Sequence, residues 1–205
     1  MPKQQIAEMT KDAALHDRRD MIVSAATRCF VAKGFHQTGI RDIAAEAGIS
    51  LGNLYNHFQN KDALIAEIAR MDAEALQEIL ESLREVADPR QALAQFLDCY
   101  LDYSAWPENV ALTVEITAEA FRNRDVAKAF AVNRGIVTNA VSDILKKGIK
   151  AGEFDASLNT EEVSEFILGA VESLALRLAF RGRQDAKPPR ETLHAMVMNA
   201  IRRQD

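Results

Sequence analysis

The chain of 205 residues holds only two cysteines, Cys29 and Cys99, widely separated and without CxxC spacing, so neither a disulfide framework nor a zinc site is signalled. Both read as small core residues. Alternating β-branched runs of the kind that mark strands are missing, which excludes a sheet as the organising element. Long apolar runs are missing too: the most apolar stretch, Val163 to Phe180, is interrupted by Glu165, Glu172 and Arg177, which are costly in a bilayer. No membrane partner is expected. There is no glycine-rich phosphate loop, no Cys-His pair and no Ser-His-Asp set, and His16, His36, His57 and His194 are scattered. Catalysis therefore has no candidate constellation, and neither a cofactor nor a metal is implied. The opening residues Lys3, Glu8, Lys11 and Asp12 are too polar for a signal peptide and too mixed in charge for a transit peptide. A cytoplasmic location is the expectation.

What the sequence does have is helical periodicity. With 48% hydrophobic and 27% charged residues it is a globular chain, and nearly every segment repeats apolar residues at i, i+3, i+4 and i+7. The fold class is all-α, with about nine helices. Met21, Ile22, Ala25, Ala26, Cys29 and Phe30 make the apolar face of a first helix that Gly34 ends. Ile40, Ile43, Ala44 and Ala47 make a short second helix, with Thr38 as its expected N-cap and Gly48 past its end. Ser50 caps a third, which offers Leu54 and Phe58 inward. A long run follows from Ala63 to Val86, closed by Asp88-Pro89. Further helices are read near 89–105, 108–121, 124–151, 160–181 and 189–203, the last two separated by a turn containing Lys187-Pro188-Pro189. Residues 1–60 carry seven basic and six acidic side chains, and residues 61–205 eighteen and twenty-four, so the net charge of -5 belongs to the later part. A neutral to slightly basic head on an acidic body suits a protein that meets phosphates only with its first segment.

Ala44, Gly48 and Ile49 supply, in order, a small residue at a helix crossing, a turn position tolerant of positive φ, and an apolar lock. That is a helix-turn-helix. The Ser50 cap leaves the next helix's free N–H groups and positive dipole end available to a phosphate. Leu51, Gly52, Asn53, Tyr55, Asn56 and His57 follow, a set poor in acid and rich in hydrogen-bonding and aromatic groups, as a helix entering a major groove requires. The competing reading is a helical hairpin that serves only an interface, in which His57 is an ordinary structural histidine.

The run Thr38-Gly39-Ile40-Arg41-Asp42-Ile43-Ala44-Ala45-Glu46-Ala47-Gly48-Ile49-Ser50-Leu51-Gly52-Asn53-Leu54-Tyr55-Asn56-His57-Phe58-Gln59-Asn60-Lys61 closely resembles the signature of the TetR/AcrR family, with a fainter echo at Lys147 to Phe154. The resemblance is specific from about Asp17 to Leu64. It implies that Thr38, Tyr55, His57 and Lys61 hold backbone phosphates, while Arg41, Leu51, Gly52, Asn53 and Asn56 lie at or near base edges, with Ser50 capping their helix. Asn53 has the chemistry to bond an adenine edge and Leu51 to press a thymine methyl. Gly39 and Leu51 depart from the family's usual residues, so base preference is not readable. The implied layout is a polar arm at 1–15, a DNA-binding domain at 16–76 with its motif at 39–58, and a ligand-binding and dimerisation domain at 77–205.

In the later part, Phe96, Cys99, Tyr103 and Trp106 fall on one stripe with Tyr100 beside it, and Asn133 interrupts an apolar stripe that includes Val137. The stripe is either plain core or the lining of a pocket for a small-molecule effector, and Asn133 is either paired or awaiting a ligand. The resemblance implies that this region lines an effector cavity. Glu108, Glu115, Glu119 and Arg122 share another stripe, read most simply as a solvated face. Phe166, Ala170, Leu174 and Leu178, then Leu193, Met196 and Val197, present apolar stripes on the last two helices. They are read as the interface of a homodimer, as the resemblance implies, or as internal core. The expected protein is a ligand-responsive regulator that releases palindromic operator DNA; the alternative is an all-helical binding or scaffold protein.

Overall fold

The computed structural model describes the backbone of residues 3–180 and 188–203 and the side chains of residues 18–180 and 188–203. His16, Lys187 and the side chains of the expected N-terminal arm lie outside the described residues. Among the described residues there are nine α-helices: α1 (Lys3–Lys33), α2 (Ile40–Glu46), α3 (Leu51–His57), α4 (Lys61–Ser82), α5 (Pro89–Ala105), α6 (Pro107–Ala120), α7 (Arg124–Lys150), α8 (Thr160–Phe180) and α9 (Arg190–Ile201). By packing they form two units, Met1–Met71 with Leu112–Ala129, and Asp72–Ala111 with Phe130–Asp205.

In the first unit most of the α1 stripe is buried as its spacing dictates: Ile22, Ala25, Ala26 and Phe30 are fully enclosed and Cys29 nearly so, while Met21 at its edge is exposed. Helix α1 begins at Lys3, well before that stripe. Gly34 ends it with φ +81°, a conformation that only glycine adopts without strain. The chain then folds back so that the Phe35 ring stacks on Phe30, with centroids 4.3 Å apart. Gly48, at φ +65°, makes the turn between α2 and α3. The Ser50 hydroxyl accepts the Asn53 N–H at 3.2 Å, so the start of α3 is capped as expected, and the Asn60 side chain caps α4 by accepting the Ala63 N–H at 2.8 Å. The N-cap of α2 is Gly39 and not Thr38. Thr38 turns the other way: its hydroxyl bonds the Cys29 and Gly34 carbonyls and so closes the end of α1.

In the second unit α5 packs against α8 and α9. Asp88 caps α5 by accepting the Arg90 and Gln91 N–H groups, with Pro89 in the first helical position, where a missing N–H costs nothing. Helix α4 stops at Ser82, earlier than the expected Val86, because i→i+3 turns at Leu83, Arg84 and Val86 tighten the chain toward Asp88-Pro89. The core joins Phe96, Leu97, Tyr100 and Leu101 to Val141, Leu145, Phe154, Leu168 and Val171.

Gly148 fixes one corner of that core. A Cβ at this position would fall inside the ring of the buried Phe154, which reaches the helix because Gly152, at φ +75°, turns the chain back and Asp155 N–H bonds the Ile201 carbonyl at 3.0 Å. Gly148→Ala is therefore expected to cost about 1–3 kcal/mol as overpacking, read as a lower urea midpoint. Gly148→Ala/Phe154→Leu should regain part of the loss. A single mutant within ~0.5 kcal/mol of the parent would show that the ring relocates freely.

Candidate nucleic-acid interface and regulatory core

Helix α3 turns Leu54 into the first unit's core with Phe58 just past its end, and leaves Gly52, Tyr55 and Asn56 exposed, with Leu51, Asn53 and His57 half-buried. Arg41 on α2 is exposed as well. A Cβ at Gly52 would meet nothing within 4 Å. Glycine costs a helix about 1 kcal/mol relative to alanine, and here no packing requires it.

Two residues expected at phosphates are placed differently. Thr38 is 2% exposed, with its hydroxyl committed to two backbone carbonyls, so its side chain is a structural tie. Lys61 is half-buried, and its ammonium donates to the Phe35 carbonyl and, at 3.4 Å, to the Thr38 carbonyl. It fastens the α1–α2 turn to α4. The His57 carbonyl is also engaged, accepting from Arg19 Nη1 at 3.0 Å. That guanidinium lies 4.4 Å from the Phe58 ring centre and donates to Glu67 at 3.0 Å. Glu67 feels opposing influences: burial works to raise its pKa, but the Arg70 and Arg19 hydrogen bonds win and hold it below the usual carboxylate range.

Glu115 and Glu119 are not on a solvated face. Glu119 is 9% exposed and stands 3.3 Å from His36 Nε2, while Glu115 Oε2 accepts the Phe35 N–H at 3.3 Å. A cleft of about 260 Å³ opens there between residues 33–37 and the second half of α6. Helical spacing alone made the stripe look solvent-facing, because its partners come from a turn some 80 residues earlier.

The aromatic stripe on α5 is divided. Phe96 and Tyr100 stack in the core with centroids 5.2 Å apart, and Val137 joins them there. Cys99 is half-buried near Asp98, Asp102 and Arg190; burial first, then Asp102 and Asp98, push its thiol pKa up, away from reactivity. Trp106 caps the helix end at 56% exposure, whereas Phe96 is fully enclosed. Tyr103 and Asn133 do come together: the Tyr103 hydroxyl and the Asn133 amide, at 2.7 Å, both donate to Asp72. Asn133 is thus paired. Beside them Tyr100 donates to Glu172 at 2.6 Å, and Arg134 bridges Glu172 and Glu165, which also accepts from Thr138. Burial, followed by the neighbouring carboxylates, drives both tyrosine pKa values far above normal. Sequence patterning missed Asp72, Arg134 and Glu172, since charged residues on helices are usually solvated.

On the last two helices Phe166 and Met196 are 82% and 68% exposed and Ala170 is exposed, whereas Leu174 and Leu178 are half-buried. Leu193 and Val197 correct the expected interface: they face inward onto the core with Ile201. Among the described residues no group of His, Cys, Asp and Glu side chains is placed to hold a metal ion, and no helix is long and apolar enough to cross a membrane.

Residues 22–68 match the family model described as bacterial regulatory proteins, tetR family. The HTH-type transcriptional regulator UidR of Escherichia coli K12 is 31% identical over 156 residues, covering 73% of this chain and 76% of that protein. Among solved structures, the fatty acid degradation regulator FadR from Bacillus halodurans superposes with a TM-score of 0.79 at 20% identity, over 91% of this chain and 97% of that one. FadR from Bacillus subtilis, solved in complex with stearoyl-CoA, gives 0.74 at 20% identity over 87% and 95%.

The Arg19–Glu67 contact makes a pH-dependent contribution. Because the folded state holds the Glu67 pKa down, the stabilisation is present above the ordinary glutamate range near ~4.3 and is lost as pH falls through the folded value. Glu67→Gln should flatten the acid limb of stability against pH. Arg19→Met should lower the unfolding free energy by roughly 1–2 kcal/mol at neutral pH, measured by urea titration. An acid limb unchanged in Glu67→Gln would remove this pair from the account.

Proposed function

Because the chain belongs to the tetR family of bacterial regulatory proteins, we propose that it is a cytoplasmic, ligand-responsive repressor that binds palindromic operator DNA as a homodimer. The observation that carries this reading is the exposed face of α3, where Gly52, Tyr55 and Asn56 contribute no packing to the unit that holds them. Asn53, Leu51 and Arg41 are assigned to base edges; Tyr55 and His57 to phosphates; Lys61 to holding the α1–α2 turn; and Ser50 to the cap that aims the helix. The expected boundaries at 15/16 and 76/77 give way in this reading to the two packed units, with Met1–Met71 and Leu112–Ala129 as the DNA head and Asp72–Ala111 and Phe130–Asp205 as the regulatory body.

The effector is assigned to the body. The Bacillus subtilis FadR complex with stearoyl-CoA supports small-molecule binding on this fold. In this chain Tyr103 and Asn133, joined on Asp72, are the polar groups proposed to orient the effector. Phe96, Tyr100 and Val137 supply apolar backing, and Cys99 and Trp106 are peripheral. A palindromic operator needs two recognition helices about 34 Å apart, so a ligand that favours another spacing releases DNA. Linkage then makes the ligand bind free dimer better than DNA-bound dimer by the same factor. The test is a gel shift on the region upstream of the protein's own gene at rising salt. Binding should fall with a log-log slope of about 0.9 per phosphate contact. Absence of binding at low salt would favour the scaffold reading.

Within that assay Lys61→Ala should weaken every duplex alike, through a loosened α1–α2 turn, whereas Asn53→Ala should relax preference at one base pair. The reverse pattern would exchange their roles. Dimerisation is assigned to Phe166, Ala170, Met196 and the edges of Leu174 and Leu178, which the protomer leaves uncovered. Ala170→Glu places an unpaired charge in that contact and should give a folded monomer that no longer binds operator. Sedimentation velocity showing an unchanged dimer would remove α8 from the interface.

A further inference from the structure

The contact between α6 and the α1–α2 turn is an unexpected feature of the first unit. Glu115 and Glu119 lie one helical turn apart on α6, in the half that packs with residues 1–71. The Phe35 residue is held from three sides. Its N–H donates to Glu115, its carbonyl accepts from Lys61, and its ring stacks on Phe30. Next to it His36 meets Glu119, and before it Gly34 presents bare backbone: a Cβ there would stand 3.2 Å from Glu115 Oε2. The other end of the turn is Thr38, whose carbonyl also accepts from Lys61, and Gly39 starts α2. A carboxylate as enclosed as Glu119 is costly unless its partner is fixed, so the pairing serves a defined arrangement of the turn.

We propose that Glu115 and Glu119 are positioning residues for DNA binding: without contacting DNA, they fix the Gly34–Thr38 turn and, through it, Lys61 and the start of α2. This rests on the head being the DNA-binding element. The two carboxylates act on different atoms, Glu115 on a backbone N–H and Glu119 on an imidazole, so their contributions are separable.

The experiment compares Glu115→Gln, Glu119→Gln, His36→Glu and His36→Glu/Glu119→Lys with the parent. Operator affinity is measured by fluorescence anisotropy on a duplex selected by the parent protein. Amide exchange of residues 34–38 is measured in DNA-free protein. Each single variant should speed that exchange and weaken operator binding roughly tenfold, the factor that ~1.4 kcal/mol of lost restraint gives. The salt slope should not change in Glu115→Gln and Glu119→Gln, because no phosphate contact is lost. The charge-swapped pair should recover most of the affinity. If the swap unfolds, a cycle of His36→Ala and Glu119→Gln replaces it, and the double variant should lose no more than either single one. Faster exchange with full affinity would make the contact purely structural and overturn the proposal, as would unchanged exchange or strictly additive losses. A parent protein that binds no duplex would instead sink the DNA-binding reading, a failure visible before any variant is compared.

Discussion

A seven-residue helix has no stability of its own in water, because the nucleation cost of its first turn is never recovered over so few hydrogen bonds. Helix α3 exists because Leu54 and Phe58 are enclosed by the first unit and because Arg19 holds the His57 carbonyl and the Phe58 ring at its end. The rest of the head follows from this requirement. Glycines at positive φ make the turns that bring α1, α2 and α3 together, and Lys61 ties the α1–α2 turn to α4 from the opposite side.

The second unit faces a different constraint. Its core is apolar, and at the margin of that core lie a carboxylate held by Tyr103 and Asn133 and a half-exposed guanidinium shared between two glutamates. Such a network is favourable only while every member is satisfied, since in a medium of low dielectric a lost partner costs more than a hydrogen bond in water. The raised tyrosine pKa values report the same field: burial, and then nearby negative charge, keep both phenols protonated.

The fold was largely legible because helices announce themselves locally. Apolar spacing marked the buried face of α1, and Gly34, Gly48, Ser50 and Asp88 marked ends and starts that the structure reproduces. Illegible were the partners. Thr38 has the composition of an N-cap, but its hydroxyl found the carbonyls behind it, and Leu193 and Val197 have the spacing of an interface yet belong to the protomer's core. Glu115 and Glu119 looked solvated because periodicity describes one helix and says nothing of the turn that meets it. The α3 surface was read from residue chemistry and capping; the Asp72, Arg134 and Glu172 network arises only when α4, α5, α7 and α8 converge, which no single segment encodes.

The bare space beside Gly52 has a consequence for how such a head can change over time. Since the α3 surface contributes little to holding its own helix, substitutions at Gly52, Tyr55 and Asn56 are nearly free of folding penalty. Under the proposed assignment of this surface to DNA, recognition can drift while the scaffold stays still. A gene duplicate of this protein could thus acquire a new target sequence through a few surface replacements, keeping its core, its turn and its response to a signal unchanged.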